Sequence, residues 1–203
     1  MRQWLAVVAT LACLAACSRK PKEIGPAPAT FRVRFNTTKG DLVILVHRDW
    51  APRGADRFWE LAKMRFYEGN YFFRVLPNFI VQWGISGDPK VAKDWSVLTI
   101  SDDPPKVSNK LGTVTFATAG PNSRTTQVFI NLNDNSRLDA QGFTPFGEVS
   151  EGMTVVRNLY AGYGEGAPGG SGPDQNAITD IGNPYLEEHF PRLDQIKKTQ
   201  VLE

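Results

Sequence analysis

From residue 31 onward apolar and polar positions alternate: Phe31, Val33 and Phe35 are separated by Arg32, Arg34 and Asn36, Lys39-Gly40 interrupts the run, and Leu42 to Val46 follows. A period of two with turn residues in the middle predicts a hairpin with one buried face. At Pro52 the period lengthens. Ala55, Phe58, Trp59, Ala62 and Phe66 share a face at 3.6-residue spacing, Pro52 suits the first helical position, and Glu68-Gly69 marks the end. These aromatics belong to a core rather than to a ligand site.

The next run, Phe72 to Gly84, is apolar and β-prone but contains one arginine and one glutamine. Read as two short strands joined at Leu76-Pro77-Asn78, it places Arg74 at the end of one strand and Gln82 on the next, among Phe72, Phe79 and Ile80. Polar groups fixed beside an apolar pocket suit an organic ligand; an ordinary hairpin whose Arg reaches out to water has the same pattern.

Ile85 to Lys110 is irregular and reads as a long excursion with at most one short strand around Trp95 to Ile100. Thr113 to Ala117 and Gln127 to Leu132 read as strands around the turn Ala119-Gly120-Pro121-Asn122. A polar loop from Asn133 to Gly142 contains Leu138, Phe143 to Val149 forms another strand, and Glu151 to Tyr160 a short amphipathic helix. Gly162 to Pro173 is glycine-rich, Asn183 to Leu193 suggests helical turns broken at Pro191, and Ile196 to Leu202 a closing strand. Many short strands with two helices and long loops predict a mainly β fold, a closed antiparallel barrel capped by helices, with the glycine-rich insertion before the last strand.

At 203 residues the chain suits one domain with a tail. Its net charge of +2 and lack of a dense basic block give no argument for nucleic acid. The N-terminus carries an address: Arg2, an apolar run from Trp4 to Ala16, and small residues before Cys17. This run is too short for a transmembrane helix. Leu14-Ala15-Ala16-Cys17 resembles a bacterial lipobox, which implies a signal peptide over 1–16, cleavage before Cys17, and lipidation of its thiol with acyl chains such as palmitate. Residues 17–29, with Pro21, Pro26 and Pro28, then form a flexible tether, and 30–203 the folded domain. Losing Cys13 with the signal leaves no free thiol for a disulfide or metal. Losing Arg2 leaves 22 basic against 21 acidic side chains, so the lipid and not charge holds the protein on a membrane. Ser18 resembles the outer-membrane class of lipoprotein sorting, which points to the periplasmic face of a bacterial envelope.

Gly112 to Ile130, Gly-Thr-Val-Thr-Phe-Ala-Thr-Ala-Gly-Pro-Asn-Ser-Arg-Thr-Thr-Gln-Val-Phe-Ile, with Leu138-Asp139 and Phe146-Gly147 beyond it, forms a second informative motif. Together with Phe73-Arg74-Val75 and Phe79-Ile80-Val81-Gln82 it strongly resembles the cyclophilin family of peptidyl-prolyl cis-trans isomerases, over about Thr30 to Tyr160 and the final strand. The resemblance implies rotation about X-Pro bonds without cofactor or metal, with Arg74 and Gln82 catalytic. It implies a proline pocket of Phe79, Ile80, Phe129 and Leu138, with Phe143 at its floor, and a substrate-pairing strand at Ala117, Thr118, Ala119 and Gln127. The partners it implies are proline-containing segments of exported proteins, bound by a monomer.

Three positions depart from the family. Its usual His before the Arg is Phe73, its frequent Trp before the Leu is Arg137, and its pocket-floor His falls, after a one-residue shift, on Phe143. Loss of the Trp argues against tight cyclosporin binding. Trp83 stands where the family usually has Gly, and Gly162 to Asp194 has no counterpart in short members. Gly164-Glu165-Gly166-Ala167-Pro168-Gly169 matches a dinucleotide fingerprint on paper but lacks the flanking strand and helix. His47 and His189 sit in segments without a nucleophile motif or metal-ligand spacing. The competing reading is a lipid-anchored module that binds proline segments with little turnover.

Overall fold

In a computed structural model, which describes residues 24–202, the first alternating run becomes β1 (Thr30–Thr37), with Phe31, Val33, Phe35 and Thr37 turned inward. It pairs antiparallel with β2 (Gly40–His47), Thr30 opposite His47 and Thr37 opposite Gly40. The signal segment and Cys17 lie outside the described residues. Residues 24–29, assigned to the tether, have no regular structure, yet Ala27 is buried and donates its N–H to Asp56 Oδ1 at 2.9 Å. The chain is therefore pinned to the folded body before β1 begins.

Helix α1 (Pro52–Lys63) buries Gly54, Ala55, Phe58, Leu61 and Ala62. It stops at Lys63 rather than near Glu68, because Arg65 takes a left-handed conformation, φ 57°, that ends a helix. Its first turn has no cap of its own: Arg53 and Gly54 donate their N–H groups to Asp103, at 3.0 and 2.9 Å, from the irregular excursion. Asp103 also accepts from both terminal nitrogens of Arg124 at 3.1 Å, and both side chains are buried.

The Phe72–Gly84 run folds as β3 (Arg74–Leu76) and β4 (Ile80–Trp83). The excursion then contains α2 (Pro89–Ser96) rather than a strand: Asp88 caps it by accepting from Lys90 and Val91, with Pro at its start. Only Ile100 pairs in strand fashion, through a single bridge to Arg124. β5 (Thr113–Phe116) and β6 (Val128–Asn131) follow. A 3-10 turn (Ser136–Gln141) occupies the polar loop and ends at Gly142, φ 84°. Next come β7 (Pro145–Glu151) and α3 (Met153–Arg157). The insertion carries α4 (Gln175–Ile181) and α5 (Asn183–His189) before β8 (Ile196–Leu202) closes the chain. Helices α2 and α4 thus add to the two that periodicity had marked; both are short, and Asp88 and Asp174 at their N-caps are the signals that mark them.

The eight strands of the described residues form one antiparallel sheet in the order β3-β4-β6-β5-β7-β2-β1-β8. No ladder joins β3 to β8. The two edges meet just ahead of these strands, through the Tyr71–Gln195 bridge and the bond from Phe72 N–H to Asp194 O at 3.0 Å. The sheet is a curled barrel closed by a bridge rather than by a full strand pair.

Its concave side holds an aromatic core. Phe58 lies against Phe35, Tyr67 and Phe146 at ring distances of 6.2, 5.5 and 4.9 Å. A second cluster sits outside it, where Ile178, Leu186 and Leu193 from the insertion pack on Phe73, Ile85 and Ala92. Burying these side chains, at about 25 cal/mol per Å² of apolar surface, holds the insertion on the sheet edge that bears Arg74.

Candidate active site

Directly opposed residues of an antiparallel pair project from the same face. Arg74 stands opposite Gln82 across β3 and β4, and Gln82 opposite Phe129 across β4 and β6, so the three share one side of the sheet. There they line a cavity of about 370 Å³. Every residue assigned to the site from the sequence lines it, apart from Cys17, which lies outside the described residues.

One half of the cavity is apolar. Ile80, Phe129 and Leu138 are buried in a cluster of their own, separate from the main core, with Phe79, Ala117 and Phe143 packed around them. Phe129 and Phe143 meet edge to face at 5.7 Å. Leu138 is delivered by the 3-10 turn, which is tied down on both sides. Asp139 accepts from the Asn109 N–H and Nδ2 at 2.9 and 2.8 Å and from the Ser108 hydroxyl. Asn135 Nδ2 donates to Phe79 O and Asn131 Oδ1, both at 2.8 Å. Burial pushes the Asp139 carboxyl up, but the bonds from Ser108 and Asn109 outweigh it and hold the group below its usual value.

The other half is polar and ordered as a chain. Arg74 Nη1 donates to Gln82 Oε1 at 3.0 Å, and Gln82 Nε2 donates to Gln127 Oε1 at 2.8 Å. Arg74 also forms a forked pair with Glu165, Nε to Oε1 and Nη2 to Oε2, each 2.6 Å. The Arg74 hydrogen bonds, opposed by burial and aided by the Arg74 charge and the Gly166 N–H, hold the Glu165 carboxyl below its ordinary range. Along the third wall Ala117 donates its N–H to Gln127 O at 2.9 Å and Ala119 to Ser123 Oγ at 2.8 Å.

A guanidinium thus sits at the edge of an apolar slot, and among the described residues no nucleophile–base pair stands beside it. His47 stacks on Trp50 and His189 packs on Tyr185, and neither lines the cavity.

The chain matches the cyclophilin type peptidyl-prolyl cis-trans isomerase/CLD family over residues 32–179. It is a cyclophilin-type peptidyl-prolyl isomerase. A peptidyl-prolyl cis-trans isomerase of Acinetobacter baylyi is 35% identical over 138 residues, which cover 66% of this chain and 73% of that one. The crystal structure of a Cryptosporidium parvum cyclophilin superposes with a TM-score of 0.61 at 20% identity, covering 86% of this chain and 98% of that one. A second crystal structure of that protein, in the presence of the dipeptide Ala-Pro, gives 0.60 at 20% identity over 85% and 99% of the two chains.

Against this background the departures acquire physical reasons. Trp83 belongs to the cyclophilin's core, 1% exposed and packed edge-on against Phe72 at 5.5 Å and Phe35 at 5.9 Å. Phe73 is the seat of the insertion, in the second apolar cluster. Arg137 lies over the Phe79 ring at 4.8 Å, and Arg74 is 5.7 Å from the same ring, so a guanidinium covers the rim where the family often has an indole.

Four residues at or beside the cavity were not legible from the sequence. Ser123, Thr125 and Gln175 line it, and Glu165 pairs with Arg74. Glu165 does stand out as a lone acid among glycines, within the run that mimics a dinucleotide fingerprint. In the fold that run is a self-bonded loop, with Gly172 donating to Glu165 O at 2.8 Å and Gly170 to Gly166 O at 3.0 Å.

Proposed function

We propose that this cyclophilin isomerises X-Pro bonds in exported polypeptides, as a monomer held by lipidated Cys17 on the periplasmic face of a bacterial outer membrane, with Arg74 as the catalytic group. The observation that carries the reading is the placement of one guanidinium at the edge of the apolar slot formed by Phe79, Ile80, Phe129, Leu138 and Phe143.

Amide rotation meets a barrier of roughly 18–20 kcal/mol, because conjugation gives the C–N bond double-bond character. Before proline the two isomers are nearly balanced, so only the barrier needs lowering, and uncatalysed exchange takes about tens to hundreds of seconds. As the bond twists, conjugation is lost and the prolyl nitrogen regains its lone pair. A donor aimed at the prolyl carbonyl and at that nitrogen binds the twisted form better than either planar one. Arg74 supplies such a donor without any change of protonation. One charged hydrogen bond contributes about 1.5–3 kcal/mol, which is about one to two decades of rate. The rest of the acceleration comes from the apolar slot, which grips the proline ring and excludes water while the other side of the bond turns. Gln82, bonded to both Arg74 and Gln127, holds the guanidinium in place. With the N–H groups of Ala117 and Ala119 engaged internally, the segment Ala117 to Ala119 offers an extended substrate its carbonyls and the Thr118 N–H.

The test is exchange spectroscopy on an Ala-Pro peptide with the full-length protein in detergent. Wild type accelerates cis/trans exchange, and Arg74→Ala slows it by roughly 10- to 100-fold. Equal rates at background for both proteins point instead to a binding module. The anchor is read out in the same preparations, since labelled palmitate enters the wild type and not Cys17→Ser.

A further inference from the structure

The insertion grips two neighbouring residues of the site edge by different means. Phe73 is held in the apolar cluster with Ile178 of α4 and Leu186 of α5. Arg74 is held by Glu165, whose carboxylate meets it along the Nε–Nη2 side. Glu165 does not line the cavity, whereas Arg74 does, so the carboxylate approaches the guanidinium from outside the slot.

A guanidinium has five N–H donors. The fork to Glu165 uses the Nε–H and one on Nη2, and Gln82 uses one on Nη1. One N–H on each terminal nitrogen is left over. Two donors in a fixed plane are what a twisting prolyl bond needs, one for its carbonyl oxygen and one for its nitrogen. From this geometry we infer that Glu165 is a positioning residue for the isomerase reaction, fixing the plane of Arg74 so that its two remaining N–H groups stay aimed at the prolyl bond. The inference rests on the reading of Arg74 as the catalytic group.

The loop around Glu165 is built to hold it. Its carboxylate Oε1 accepts from the Gly166 N–H at 2.9 Å, and its backbone carbonyl accepts from Gly172 at 2.8 Å. A Cβ on Gly170 would stand 2.4 Å from that carbonyl oxygen, and one on Gly172 2.8 Å from it. The glycines let the chain turn back onto Glu165 with no side chain in the way. An exposed ion pair between mobile side chains contributes little; here the loop, the apolar cluster and Gln82 set the partners' places in advance, which is how positioning acts on rate.

A carboxylate so close also offsets the Arg74 charge. That effect opposes catalysis, but the Glu165 side chain is 42% exposed, so water screens the charge while leaving the fork's geometry intact. Orientation is therefore the larger effect.

The experiment compares full-length wild type, Glu165→Gln, Glu165→Asp and Arg74→Ala for kcat and KM on an Ala-Pro peptide, with the ¹H–¹⁵N signal of the Arg74 Nε–H as a second readout. Gln keeps the shape but loses the paired acceptors; Asp keeps the charge but is too short for the fork. Both are expected to lower kcat roughly tenfold while KM stays within about twofold, and the Nε–H signal loses its slow exchange with water while the amide signals of the insertion keep their positions. An unchanged or raised kcat in Glu165→Gln, or wild-type behaviour of Glu165→Asp, overturns the proposal while leaving Arg74 standing. Wild type indistinguishable from Arg74→Ala removes the catalytic reading of Arg74 and the positioning role with it.

Discussion

Arg74 and Gln82 face each other across the β3–β4 ladder, and the Arg74 Nη1 donates to the Gln82 Oε1 at 3.0 Å. The register of a three-residue strand thus decides which nitrogen of the guanidinium is tied back and which are left for substrate. Gln82 is 5% exposed and hands the restraint on to Gln127, so one side of the site is a continuous chain of bonded polar groups.

Replacing Gln82 by Leu keeps the volume and removes both bonds. Activity on an Ala-Pro peptide is expected to fall about three- to tenfold, mostly in kcat, since Arg74 keeps its fork to Glu165 and loses only the Gln82 restraint on its orientation. Steady-state kinetics check it. Unaltered kcat in a folded variant would show that Glu165 and the packing on Phe79 orient Arg74 without Gln82.

Asp103 and Arg124 form a buried pair, with side chains 2% and 3% exposed. Asp103 also serves as the cap that α1 lacks, through Arg53 and Gly54. Asp103→Ala strips one partner from a buried charge and uncaps the helix, and is expected to destabilise the fold by about 3–5 kcal/mol. Urea unfolding measures this, and a change under about 1 kcal/mol would mean that Asp102, 3.2 Å from Arg124, takes over.

Acid is expected to unfold the protein through a set of carboxylates. Asp56, hydrogen-bonded by Arg48 against the opposing effect of burial, titrates below its ordinary value. Glu165 and Asp139 do likewise, and Asp134, bonded to Lys110, is lowered to about 2. Each folded pKa lies below the unfolded one, so in the acid range the unfolded chain binds more protons. The stabilisation is complete above the ordinary carboxylate values, near about 4, and is lost as pH falls through the lower folded values. The urea midpoint is expected to stay level from about pH 7 to 5.5 and to drop between about pH 4 and 2. A midpoint that stays level to the bottom of that range contradicts the assignment.

The strand pairs were legible because their signals are local, and the apolar residues of the slot were supplied by the motif resemblance. Phe31, Val33 and Phe35 show their period within six residues of chain, and the residues on either side of Pro77-Asn78 place Arg74 and Gln82 on adjacent strands whatever lies elsewhere. Helix α2 was not legible in this way: Asp88-Pro89 marks its start, but the irregular flank made the segment read as a long excursion with at most one short strand. Trp83 and Phe73 were of another kind: each reads as one more aromatic in an apolar run, and only their surroundings separate a core residue from the seat of an insertion.

By itself, then, the sequence determined the β-rich architecture, the family and, through the motif resemblance, the cavity-lining residues other than Ser123, Thr125 and Gln175, because periodicity, turn chemistry and motif order are properties of short stretches. The tertiary structure alone decided that an acid in a glycine-rich loop meets the catalytic candidate, with Glu165 and Arg74 lying 91 positions apart. No local preference of the chain encodes that meeting. It follows from the packing of α4 and α5 on Phe73, which brings the loop to the sheet edge and leaves Glu165 within reach of one guanidinium.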